Sequence, residues 1–133
     1  MRTLPIDGGV TASIWTDIEQ QSFETTPEHE TDVCIVGAGI AGLTTALMLV
    51  RQGVRVSVLD DGPIGGGETG RTSAHLASAV DDRYHVLEDK FGGRGAQIIA
   101  ESHAAAIDWI ESTVDELGID CEFRRVDGYL FAP

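Results

Sequence analysis

This chain of 133 residues has only two cysteines, Cys34 and Cys121, and they form no CxxC pair. A thiol redox motif is therefore excluded, and so is a cysteine-rich zinc site. The histidines His29, His75, His85 and His103 stand at no metal-ligand spacing with each other or with the cysteines. Basic residues are few: nine Lys and Arg against 22 Asp and Glu give a net charge of −13. Nucleic-acid binding is excluded for want of a basic patch. The surplus acid reads as solvated surface, and a single lysine, Lys90, among so many acids hints at a salt-adapted host. No apolar run approaches the roughly 20 residues that cross a bilayer. The start lacks a charged segment followed by an apolar core. The expectation is a soluble, cytoplasmic protein with no membrane partner. No Ser-His-Asp arrangement can be read from the spacing.

What the chain does have is glycine, set in one telling stretch, TDVCIVGAGIAGLTTALMLVRQGVRVSVLD, residues 31–60. The apolar run Val33, Cys34, Ile35, Val36 suits a parallel strand covered on both faces, which would bury Cys34. Gly37 allows a sharp turn from strand to helix. Gly39 lets a diphosphate approach the backbone, and Gly42 lets the helix pack closely on the sheet. The free N–H groups of the first helical turn, around Ile40, Ala41 and Gly42, would face phosphate with the positive end of the helix dipole behind them. Leu43, Ala46, Leu47, Leu49 and Val50 form the apolar stripe, and Gln52-Gly53 predicts the stop. Val54, Val56 and Val58 alternate with Arg55 and Ser57 into a second strand that ends on Asp60. That acid lies about 20 residues beyond the glycines, where a carboxylate accepts ribose hydroxyls. Its charge disfavours the 2′-phosphate of NADP, and no Arg or Lys occurs between Leu59 and Glu68. The pattern predicts a dinucleotide-binding βαβ unit, with FAD and NAD both open.

The segment after Asp60, GPIGGGETGRTSAHLASAV, is too rich in glycine for an immediate crossover helix. It carries Thr69, Arg71, Thr72, Ser73 and His75, whose hydroxyls, guanidinium and exposed amides suit a diphosphate and the edge of a flavin ring. This favours FAD over a simple NAD domain. An NAD-binding dehydrogenase domain and a non-catalytic dinucleotide-binding fragment remain the alternatives.

From Asp32 to about Val80 the chain resembles the start of FAD-dependent oxidoreductases of the D-amino acid oxidase and glycine oxidase superfamily. The carrying motifs are GAGIAGLTTALMLVRQG, the acid in VLDD, and TGRTSAHL. With DDRY, ESHAAAIDWIE, RVDGYLFAP and SIWTD near the start, residues 10 to 133 are similar to the bacterial subgroup whose flavin domain precedes a Rieske 2Fe-2S domain. The resemblance implies a Rossmann-like α/β fold and an oxidoreductase that takes a hydride from a small amine or related donor. It implies that Gly37, Gly39 and Gly42 serve the FAD diphosphate, with Asp60 on the adenosine ribose and Asp61 beside the adenine. Arg71, Thr72, Ser73 and Ala74 would run along diphosphate and flavin. The chain departs from the commonest pattern in having Asp instead of Glu at position 60. In some relatives a histidine near His75 is bonded covalently to flavin, but the spacing from Thr72 does not match theirs, so the resemblance implies a non-covalent contact.

The expected organisation is an extended lead-in over residues 1–30, with Trp15 as an anchor, then the FAD-binding βαβ unit and flavin loop over 31–80. A helical segment and the start of a substrate-domain sheet follow over 81–133. Tyr84, Leu87 and Phe91 share a helical face, Gly92-Gly93 breaks the helix, and Gly118 stops a longer one whose apolar contacts include Trp109 as core. Phe123, Val126 and the run 129–131 predict short strands about an Asp127-Gly128 hairpin turn. A chain of this length holds one core, not a whole flavin domain and a substrate domain. The expectation is therefore an N-terminal portion of a larger enzyme, with no catalytic residue to be named here and any Rieske ligands on downstream sequence.

Overall fold

The computed structural model describes residues 30–129. The lead-in with Trp15 and the residues 130–133 lie outside that range. The chain forms two compact units, one ending at Ala74 and the other beginning at His75.

The first unit is α/β. Strand β1 (Val33–Val36) leads through helix α1 (Ile40–Val50) to strand β2 (Val56–Leu59), and a 3-10 turn follows at Glu68–Arg71. The strands pair in parallel, from Val33 opposite Val56 to Val36 opposite Leu59. Parallel neighbours need a crossover, and α1 supplies it, packing on both strands. Residues Arg51 to Gly53 close the helix, with the Gly53 N–H donating to the Val50 carbonyl at 2.9 Å and the Val54 N–H to that of Leu49 at 3.1 Å. At the far end of the strands from the glycine turn, Arg55 grips Asp32: Nη2 donates to Oδ1 at 2.8 Å and Nε to Oδ2 at 3.1 Å. That hydrogen-bonded guanidinium holds the Asp32 carboxyl below its usual value.

Coverage of β1 differs from the expectation. Val33 and Ile35 are half-buried, while Cys34 is exposed and Val36 is 87% exposed. Alternate side chains of a strand point to opposite faces. Among the described residues of this unit one helix packs on the sheet, so one face is covered and Cys34 lies on the other.

The second unit is dominated by helix α2 (Tyr84–Leu117). It is interrupted at Gly92, whose φ of 71° and ψ of 165° leave the helical region, and it stops at Gly118 in the left-handed conformation. A side chain at φ 71° and ψ 165° would be strained, so the break depends on glycine. Leu87, Ala96 and Thr113 are buried, and Trp109 is half-buried, not fully enclosed as a core residue.

The strands expected around Phe123 and Val126 do not form. Residues 119–129 have no regular structure, and the part of the run beyond Tyr129 lies outside the described residues. A strand requires a partner for its N–H and C=O groups, and no described residue pairs with this segment. A side chain ties it down instead. Arg125 donates through Nη2 to Asp108 at 2.5 Å and Glu111 at 2.7 Å, both on α2. The two carboxylates, Glu111 first, raise the Arg125 guanidinium further above its already high value. No helix among the described residues is long and apolar enough to cross a membrane.

Candidate dinucleotide site

The site begins where the ladder between the strands runs out. The Gly37 N–H still donates to the Leu59 carbonyl at 2.8 Å, and the chain then turns with Gly37 at φ 102°. Asp60, one residue past β2, braces that turn. Its Oδ2 accepts the Ala38 N–H at 2.6 Å and its Oδ1 accepts the Gly62 N–H at 2.8 Å. These backbone donors, Ala38 first, hold the Asp60 carboxyl below its ordinary value of 3.8. The acid that closes the sequence pattern thus also fastens two loops to each other.

The loop after Asp60 folds back onto the same turn. Gly65 N–H donates to the Ala38 carbonyl at 2.9 Å, and Ile40 N–H donates to Thr69 Oγ1 at 2.9 Å. The backbone-to-backbone approach is close enough to exclude side chains. A Cβ on Gly42 would collide with the Gly37 carbonyl oxygen and meet Ile35 Cγ2 at 3.3 Å, while one on Gly39 would stand 3.1 Å from Thr69 Oγ1. Gly42 therefore sets how near α1 comes to the turn.

Between turn and loop lies a cavity of about 440 Å³. Gly37, Gly39, Ile40, Ala41, Gly42, Asp60 and Asp61, all expected from the sequence, line it together. Arg71, Thr72, Ser73 and Ala74 do not. They follow along the chain: Arg71 closes the 3-10 turn, Thr72 Oγ1 accepts the Ala74 N–H at 3.2 Å, and Ala74 holds a left-handed φ of 57°. His75 belongs to the second unit. Val36, Ala38, Gly62, Pro63, Gly65, Gly66, Gly67 and Glu68 also line the cavity without having been expected there, and so does Thr69, whose hydroxyl was expected to suit a diphosphate. Thr69 was readable as a polar loop residue. Most of the others are glycine or alanine, whose part in a site leaves little mark in residue type. No group of three or more metal-ligating side chains occurs among the described residues.

The donor set fits the ADP half of a dinucleotide. Ala41 and Gly42 stand in the first turn of α1, whose N–H groups have no carbonyl four residues back within the helix. Ile40 N–H is taken by Thr69, but the Thr69 hydroxyl keeps its own hydrogen to donate. Gly39 leaves room for phosphate oxygens to reach these amides. Each Asp60 oxygen has one backbone partner and a further lone pair for a sugar hydroxyl.

The pattern that defines the FAD dependent oxidoreductase family matches residues 32–133. The chain belongs to that family. FAD is accordingly the cofactor that goes with the family. YhfW of Bacillus subtilis (strain 168), which bears the name of a Rieske 2Fe-2S iron–sulfur protein, is 37% identical over 117 residues, covering 87% of this chain and 23% of its own length. The gamma-glutamylputrescine oxidoreductase of Escherichia coli (strain K12) is 33% identical over 103 residues, 77% of this chain and 24% of its own. OrdL of Haemophilus influenzae (strain ATCC 51907 / DSM 11121 / KW20 / Rd), named as an oxidoreductase, is 28% identical over 85% of this chain and 27% of its own length. The chain thus spans about a quarter of the length of these three curated relatives. No solved structure matches it.

Proposed function

We propose that this chain is the FAD-binding portion of an oxidoreductase acting on a small amine or related donor. The carrying observation is the lacing of the Gly37–Gly42 turn to the loop through Asp60, Gly65 and Thr69, which shapes a cavity lined with amides and small residues. When bound, FAD supplies a flavin ring that accepts a hydride from the C–H beside the donor nitrogen. The protein's part is positioning. The amides of Ala41 and Gly42 and the Thr69 hydroxyl hold the diphosphate, Asp60 accepts from the adenosine ribose, and Asp61 lies beside the adenine. Arg71, Thr72, Ser73, Ala74 and His75 continue along the cofactor toward its ring, His75 without a covalent bond.

The amine class draws support from the name of the Escherichia coli relative, and a Rieske 2Fe-2S partner domain from that of the Bacillus subtilis relative. The test is purification in the presence of FAD, removal of free ligand, and an absorbance spectrum. Retained flavin bands near stoichiometric amounts are expected. Binding of a nicotinamide dinucleotide with no flavin retained would refute the FAD assignment in favour of an NAD-binding domain, and a folded chain that holds neither leaves only a scaffold role.

A further inference from the structure

Helix α1 has no cap of its own. Its first turn carries no acid, and the residue before it, Gly39, has no side chain to accept the N–H groups that a helix leaves unpaired at its start. A side chain at that place would crowd the loop, since a Cβ on Gly39 would stand 3.1 Å from Thr69 Oγ1. The acceptor comes instead from 29 residues away: the Ile40 N–H donates to Thr69 Oγ1 at 2.9 Å. Thr69 is held there by its neighbours. It lies in the 3-10 turn Glu68–Arg71, and the next residue, Gly70, sits so near the Gly65 carbonyl oxygen that a Cβ on it would fall 2.9 Å away. The Gly65 N–H in turn donates to the Ala38 carbonyl at 2.9 Å. Thr69 also lines the cavity, so one residue meets both the helix terminus and the cofactor site.

We propose that Thr69 is a positioning residue for the FAD diphosphate, acting as the remote cap of α1. The inference rests on the dinucleotide reading above and adds to it a coupling between the cofactor and the loop. A threonine hydroxyl accepts through its lone pairs and donates through one hydrogen. With the Ile40 N–H on a lone pair, that amide is withdrawn from direct phosphate contact and relayed as an O–H. A hydroxyl whose oxygen already accepts an N–H is polarised, and each bond in such a chain strengthens the other. A phosphate that accepts the Thr69 O–H therefore tightens the bond to Ile40, and with it the packing of the loop on α1. The converse follows from linkage: a loop already fastened to the helix lowers the ordering cost of binding. This separates Thr69 from a residue that merely touches phosphate, because its bond to Ile40 acts before any cofactor arrives.

The experiment combines amide exchange, read residue by residue by NMR, with FAD titration on the full chain, for the wild type, Thr69→Val and Thr69→Ser. Valine keeps the branched shape and loses the acceptor, whereas serine keeps the hydroxyl. Without FAD, Thr69→Val should quicken exchange at Ile40 and Gly65 by roughly fivefold, the usual consequence of removing a helix cap. FAD affinity should fall about tenfold, and Thr69→Ser should return both quantities close to wild type. Saturating FAD should slow Ile40 exchange in the wild type. Melting curves establish that each variant is folded. If FAD leaves Ile40 exchange in the wild type unchanged, the coupling is wrong without recourse to any variant. If Thr69→Val weakens FAD binding yet leaves Ile40 exchange of the free protein unaltered, Thr69 is a plain phosphate contact and the positioning role is overturned. It is overturned equally if exchange quickens with no change in FAD affinity. The dinucleotide reading survives all three results. If folded wild type binds no FAD, that reading fails, and the coupling goes with it.

Discussion

The two units use glycine and charge in opposite ways. Up to Ala74, glycines bring backbone onto backbone, and the one carboxylate at the centre of the site, Asp60, is bound to main-chain amides. From His75 onward, glycines interrupt and end a long helix, and the acids of that helix bond a distant arginine. The first arrangement leaves almost no freedom for substitution, because a collision with main chain cannot be relieved by a rotamer change. The second is made of exposed side chains in water, where ion pairs contribute little. Sensitivity to mutation should therefore be concentrated where side chains are smallest.

The sharpest way to break this contrast is to add the same methyl group to each unit. Gly42→Ala should cost about 1–3 kcal/mol of stability by forcing α1 away from the Gly37 carbonyl, and it should abolish measurable FAD retention. Gly92→Ala should cost a similar amount through its backbone conformation, about 1–3 kcal/mol, but change FAD affinity by less than about threefold because the change lies in the other unit. Melting curves and flavin fluorescence titration on the two variants decide it. Equal losses of affinity would dissolve the distinction.

Asp60→Asn comes next in size. An amide can accept on only one side, so either the Ala38 or the Gly62 N–H loses its partner. FAD affinity is expected to fall about tenfold. The sign with pH follows from the depressed carboxyl. A group whose folded-state value lies below its ordinary 3.8 stabilises fully above that pH and loses the contribution as pH falls through the lower folded value. The difference in melting temperature between wild type and Asp60→Asn should thus be constant near neutrality and close below pH 3.8. A gap that widens on acidification would contradict the bracing role. The smallest effect belongs to Arg125→Ala. Melting temperature should hardly move, and hydrogen exchange should quicken in residues 119–129 alone, with FAD binding unchanged.

Much of the first unit was legible in the sequence because its geometry dictates residue type. A turn at φ 102°, a helix pressed against a carbonyl and an acid at the end of a strand each demand particular residues, and Gly37, Gly42 and Asp60 announce them. The same logic exposed the break at Gly92 and the stop at Gly118. What escaped has a physical reason as well. Whether Cys34 is covered depends on how many layers surround the sheet, which a four-residue apolar run does not encode. Phe123, Val126 and the Asp127-Gly128 turn signal suggested strands, yet pairing needs a partner, and here Arg125 attaches the segment to a helix instead. The stretch from Gly62 to Glu68 was readable as a glycine-rich loop, but its part in the cavity rests on main-chain contacts that many sequences could make.

The bond from Gly65 to the Ala38 carbonyl, with that from Ile40 to Thr69 four positions on, has an engineering consequence. Two anchor points at fixed sequence separation act like teeth of a comb, so a single residue inserted between them would push one tooth out of its slot. Loop length there is as constrained as the glycine spacing itself. Tags, linkers and grafted peptides belong elsewhere on this molecule, however permissive a run of glycines looks on paper.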